Sequence, residues 1–150
     1  MPNTPMLVGE GMVAIAAGKH ASEEDMRQAA AIFQAAATVV VVGEEKIDAV
    51  TAMSGSGPAY FFYVVEQMVK AGVELGLTPE QSHLLATRTA MGAAKMLITS
   101  SDAPQELRRK VTSPGGTTQA AIMCFESLHV GPSIVEGIKA AERRGKELGQ

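Results

Sequence analysis

Thr38-Val39-Val40-Val41-Val42-Gly43-Glu44 is where this 150-residue chain changes character. The five residues before the glycine are β-branched throughout, which suits a pleated, fully buried strand better than a helix. Gly43 ends the run, and beyond Glu44 the strand patterns do not return. Apolar residues there recur with the helical period instead. A domain boundary is therefore expected at Gly43-Glu44, dividing the chain into residues 1–43 and 44–150.

On the N-terminal side, Met12-Val13-Ala14-Ile15-Ala16-Ala17 forms a second short apolar run that stops at Gly18. Ser22, with Asp25 three residues later and acids in the first turn, caps a helix between the two strands. A lone strand-helix-strand unit has little to pair with, so residues 1–43 read as the last pieces of a larger α/β sheet. Gly9-Glu10-Gly11-Met12-Val13-Ala14 matches the letters of the dinucleotide fingerprint. Its context is wrong, because the motif needs a strand before it and a helix after it.

On the C-terminal side, Ile47 to Met53 is a short helical stretch, and Ser54-Gly55-Ser56-Gly57-Pro58 reads as a turn that delivers Pro58 to a long helix ending near Leu75. Thr78-Pro79-Glu80-Gln81 combines an N-cap, a first-turn proline and a capping-box glutamine, and opens a helix to about Thr99. Asp102 is expected to cap a short helix through Arg108-Arg109-Lys110, whose cations suit a helix C-terminus. Gly131-Pro132 opens a final helix that ends near Gly149.

Helix 58–75 is apolar over most of its circumference, with only Glu66, Gln67, Lys70 and Glu74 as a wet stripe, which implies burial against a second copy of the chain. Glycines at 72, 76, 92 and 137 fall inside helical patterns, at about 1 kcal/mol each in propensity. They are expected where another helix crosses at close range.

Composition narrows the function classes. A net charge of -3 and a pI near 5.6 argue against nucleic acid or an anionic membrane as partner. No run of about 18 apolar residues suggests a membrane span. The single cysteine, Cys124, lies in an apolar run and is expected to be a buried, inert thiol, which fits a cytoplasmic protein. His20, His83 and His129 are far apart, so no metal site is expected.

The chemistry-bearing stretch is Thr112-Ser113-Pro114-Gly115-Gly116-Thr117-Thr118, immediately before the apolar helical run Gln119 to Phe125. Proline stops the preceding element, glycines allow positive φ and close backbone approach, and the following helix start offers unpaired N–H groups and a positive dipole end to an anion. A plain turn in which Thr117 or Thr118 is the N-cap accounts for the glycines. It leaves more hydroxyls than one cap can use. Ser54-Gly55-Ser56-Gly57 lacks the glycine spacing of a nucleophile elbow. No acid/base pair, nucleophile or metal cluster stands out, so a reaction here needs a cofactor that carries the chemistry.

Thr112 to Thr118, together with Ser54-Gly55-Ser56-Gly57-Pro58-Ala59-Tyr60 and Met1-Pro2-Asn3-Thr4-Pro5, resembles the Δ1-pyrroline-5-carboxylate reductases over essentially the whole chain. The resemblance implies a mainly α fold: a helical dimerisation domain, like the C-terminal domain of 6-phosphogluconate dehydrogenase, preceded by a strand-helix-strand remnant of a Rossmann domain. It implies hydride transfer from NADP or NAD in reduced form to the imine carbon of 1-pyrroline-5-carboxylate, giving L-proline. It also implies a homodimer, in many members assembled further into a ring of dimers. Ser113, Gly115, Gly116, Thr117 and Thr118 would hold the substrate carboxylate, Thr118 would hydrogen-bond the ring nitrogen, and Asn3, Thr4 and Pro5 would lie near the nicotinamide. The family's glycine-rich nucleotide loop has no counterpart in this sequence, so the 150 residues alone are expected to be inactive. Two other readings remain at this point: a non-catalytic helical oligomerisation module, and a β-hydroxyacid dehydrogenase type reductase with Lys70 as acid.

Overall fold

A computed structural model describes residues 1–149. A short 3₁₀ turn, Thr4–Val8, precedes strand β1 (Gly11–Ile15), helix α1 (Glu23–Gln34) and strand β2 (Ala37–Val41). Helices α2 (Ile47–Val50), α3 (Gly57–Glu74), α4 (Pro79–Thr99), α5 (Pro104–Lys110), α6 (Thr117–Ser127) and α7 (Val130–Leu148) follow. The chain divides into two compact units, Met1–Phe61 with the chain from Ile134 onward, and Phe62–Ser133.

In the first unit β1 and β2 pair in parallel, with Val13 opposite Val39. The connection runs through α1, whose Ser22 and Asp25 form the expected capping box and whose Met26, Ala29, Ala30 and Phe33 make a half-buried stripe at helical spacing. Pro2 bridges Val13 on the other side of β1. With neighbours on both sides, β1 buries Val13, Ala14 and Ile15. β2 does not match the fully buried strand expected from its valines, since Val40 is 38% and Val41 64% exposed. The reason is pairing: among the described residues β2 has a strand on one side only.

The segment expected to be a turn before Pro58 stays helical. α2 continues into a widened π turn over Thr51–Gly55, in which the Ser56 N–H reaches the Thr51 carbonyl at 2.7 Å. The Tyr60 hydroxyl donates to the carbonyl of the buried Ala52 at 2.9 Å and ties α3 to this turn. Single π turns are uncommon and recur at functional sites.

In the second unit α3 ends at Gly76, whose φ of +95 suits glycine. The Gly76 N–H reaches Val73 O and the Leu77 N–H reaches Gly72 O, both at 3.0 Å, so the helix closes in a Schellman motif. Thr78 and Gln81 then form both bonds of a capping box, with Pro79 in the first turn. A Cβ on Gly72 would lie 2.6 Å from Ser82 Oγ and 2.9 Å from Ser82 Cβ, so α3 and α4 touch at that glycine as expected. Gly76 ends a helix instead of lying within one. Around Gly92 and Gly137 nothing lies within 4 Å of where a Cβ would sit.

Asp102 is not a cap. Ala103 is the N-cap of α5, with no side-chain bond, and Pro104 begins the helix. The Asp102 carboxylate instead accepts from Ser100 Oγ at 3.1 Å and pairs with Lys110 at the far end of α5. Lys110 first and then Ser100 hold its carboxyl below the ordinary value of 3.8. Cys124, expected inside, is exposed on α6.

Buried apolar side chains are few. Among the described residues they are Val13, Ala14, Ile15, Ala52 and Ala86. Phe61, Phe62, Tyr63, Leu84, Leu85, Met91 and Ile98 are all exposed on α3 and α4.

Candidate functional site

The glycine loop lies in the second unit between α5 and α6. α5 closes on Val111, and the Thr112 hydroxyl donates back to Arg108 O at 2.6 Å, so one of the loop's hydroxyls is spent on the helix behind it. Ser113-Pro114-Gly115-Gly116 then makes a tight turn, with the Gly116 N–H bonded to Ser113 O at 3.0 Å and φ of +71 at Gly115. Proline second and a positive-φ glycine third is the sequence a type II turn demands.

The N-cap of α6 is Gly116, not a threonine, and it has no side-chain cap. Its carbonyl accepts from Ala120 N at 3.2 Å, which begins the helix. The N–H groups of Thr117, Thr118 and Gln119 have no acceptor among the described residues, nor do the hydroxyls of Ser113, Thr117 and Thr118 have partners. Those groups come together at one helix start, with the positive end of the α6 dipole behind them.

The Gly115 N–H has a partner within the chain. It donates to Gln119 Oε1 at 2.7 Å. Gln119 did not stand out in the sequence, and the available signal was positional: it is the third helical residue after the N-cap, where a glutamine can reach backward. No titratable side chain lies between Thr112 and Gln119. The cations of α5 are engaged elsewhere, Arg108 with Glu126 at 4.0 Å, Arg109 with Glu106 at 2.8 Å and Lys110 with Asp102. Negative charge would be received here by amides and hydroxyls.

Asn3, Thr4 and Pro5 belong to the first unit. Both ends of the Asn3 amide are occupied: Oδ1 accepts from Met12 N at 2.9 Å, and Nδ2 donates to Ser54 O and Ser54 Oγ, each at 3.3 Å. Asn3 is thus a strut between β1 and the π turn, a role invisible in the sequence because its partners are 9 and 51 residues away. Thr4 is exposed and Pro5 half-buried. Lys70 is exposed on α3. Among the described residues no cluster of His, Cys, Asp or Glu is arranged to hold a metal ion, and no helix is long and apolar enough to cross a membrane.

Residues 44–148 match the family of pyrroline-5-carboxylate reductase dimerisation domains. The chain is 43% identical over 150 residues to the pyrroline-5-carboxylate reductase of Synechocystis, covering all of this chain and 56% of that protein. It is 42% identical over 151 residues to the one from Pseudomonas aeruginosa, covering all of this chain and 55% of that protein. Among solved structures it superposes on Plasmodium falciparum pyrroline carboxylate reductase with NADP bound, with a TM-score of 0.94 at 33% identity, covering 100% of this chain and 60% of that one. The Coxiella burnetii pyrroline-5-carboxylate reductase gives 0.93 at 39% identity, covering 99% and 55%. The chain spans about half the length of the curated relatives it matches. Its mainly helical fold with a two-stranded parallel remnant, the match over 44–148 and these relatives together place the chain in the pyrroline-5-carboxylate reductase family.

Proposed function

We propose that this chain is the substrate-binding and dimerisation part of a pyrroline-5-carboxylate reductase, which reduces 1-pyrroline-5-carboxylate to L-proline at the expense of NADPH or NADH. The observation that carries the reading is the start of α6, where the unpaired amides of Thr117, Thr118 and Gln119 meet the unpaired hydroxyls of Ser113, Thr117 and Thr118. A carboxylate offers about four acceptor sites and takes charge-assisted bonds roughly twice as strong as neutral ones. Anchored there, the ring can present its nitrogen to the Thr118 hydroxyl. That hydroxyl can donate to an imine nitrogen or accept from its protonated form, and so follow the nitrogen through reduction. Gly115 and Gly116 shape the turn that aims these donors.

The nicotinamide cofactor supplies the hydride. The residues present fit only one edge of such a group: Thr4 offers an exposed hydroxyl and Pro5 a half-buried apolar ring, while the Asn3 amide is already occupied. We assign the pyrophosphate grip to a nucleotide domain joined to residues 1–43, with the boundary to the helical domain at Gly43-Glu44. NADP is favoured over NAD by the NADP bound in the Plasmodium falciparum relative.

Homodimerisation is part of the same proposal, and a ring of dimers is its extension. A folded monomer of this mass is expected to expose about 7,300 Å², whereas the chain exposes 11071 Å². A cytoplasmic location goes with this reading.

Thr118→Ala in the reductase protomer that carries this chain is expected to lower kcat/KM tenfold to a hundredfold, the worth of about 1.5–3 kcal/mol for a hydrogen bond to a charged group, with the dimer intact by sedimentation. Unchanged turnover would remove Thr118 from the mechanism. The 150 residues alone are expected to oxidise no NAD(P)H in the presence of pyrroline-5-carboxylate.

A further inference from the structure

Five backbone N–H groups lie between Gly115 and Gln119, and the chain itself uses two of them. Gly116 closes the turn onto Ser113 O, and Gly115 donates to Gln119 Oε1 at 2.7 Å. In a capping box the third helical residue reaches back to the N-cap N–H. Gln119 reaches one residue further, past the N-cap Gly116, to the residue held at φ +71. The same side chain keeps a second polar end, since Nε2 has no partner among the described residues.

Resting on the carboxylate cradle proposed above, we propose that Gln119 is a positioning residue for the substrate. Its carbonyl oxygen takes Gly115 out of the donor set and holds the turn, so that the carboxylate is bound by the amides of Thr117, Thr118 and Gln119. The side chain must also be uncharged. An acceptor is needed to hold the Gly115 N–H, yet a charged acceptor would stand within two residues of the bound carboxylate, where like charges repel. A glutamine meets both demands because it accepts without carrying charge. A glutamate would keep the loop and oppose the ligand.

The test uses the chain, ¹⁵N-labelled and titrated with L-proline and with the neutral amide prolinamide. On adding L-proline, the amides of Thr117, Thr118 and Gln119 are expected to shift, while the Gly115 amide stays in place, bonded to Gln119. Gln119→Glu at neutral pH is expected to weaken L-proline binding at least fivefold, with prolinamide binding unchanged and the spectrum away from the loop superimposable on that of the unsubstituted chain. Gln119→Leu, which removes the acceptor without adding charge, should speed hydrogen exchange at Gly115 tenfold or more. If the Gly115 amide moves with the others, or if Gln119→Glu binds L-proline as tightly as the unsubstituted chain, the role of Gln119 is refuted. If L-proline moves none of the three helix-start amides, the carboxylate reading itself fails and takes this inference with it.

Discussion

Gly115 and Gly116 are adjacent and both were legible as loop glycines, yet they are needed for different reasons. Gly115 has open space where a Cβ would sit, and its requirement is the positive φ. Gly115→Ala is therefore expected to cost about 1–2 kcal/mol through left-handed strain, read as a shift in the urea midpoint. Gly116 has an ordinary φ of -85, and a Cβ there would lie 3.1 Å from Ser113 O, so its alanine variant opens the turn instead. Ser82 offers a contrast. Its hydroxyl is buried without a partner against Gly72. Ser82→Ala is expected to stabilise the chain by about 1 kcal/mol, because it removes an unsatisfied polar group; a lower denaturation midpoint would show that the hydroxyl has a partner. No sequence pattern announces the Ser82 hydroxyl, since its surroundings depend on which neighbour the fold brings near, whereas the Gln119 bond is local and its signal is the residue's place in the first turn of α6.

At the scale of elements, starts and stops were readable wherever the signal is local. Ser22 with Asp25 and Thr78 with Gln81 form their capping boxes as their spacing requires, and α4 ends at Thr99. Elements failed the reading where the deciding partner is distant or absent. Asp102 has an N-cap's residue type, but Lys110 one helix-length away claims its carboxylate. Because that group's pKa is depressed in the fold, the pair's contribution is complete above the unfolded carboxyl's pKa. It fades as pH falls through the lower, folded value. An NMR titration of Asp102 is expected to give a midpoint below 3.8 that moves back up in Lys110→Met; a midpoint indifferent to Lys110 would make the ion pair incidental. β2 reads as buried because four successive valines need cover on both faces, and the described residues supply only part of it.

For the molecule as a whole, the sequence announced more apolar surface than one chain can hide, and the structure leaves that surface open. Phe62 is 68% and Ile98 80% exposed, and from Met91 to Thr99 every residue of α4 is exposed. Truly solvated positions tolerate substitution within about 0.5 kcal/mol, whereas the centre of an interface loses 2 kcal/mol or more. Phe62→Glu and Ile98→Glu are therefore expected to weaken self-association about thirtyfold or more each, and the melting temperature of the unsubstituted chain should rise with its concentration. A monomer whose melting temperature ignores concentration would contradict the dimer. A crystal structure of the dimer with L-proline bound decides whether the α6 start is the carboxylate site. Carboxylate oxygens are expected about 2.7–3.2 Å from the Thr117 and Thr118 amide nitrogens, with the ring nitrogen at the Thr118 hydroxyl; an ordered L-proline seated elsewhere, with those amides facing only solvent, would overturn the assignment of the α6 start.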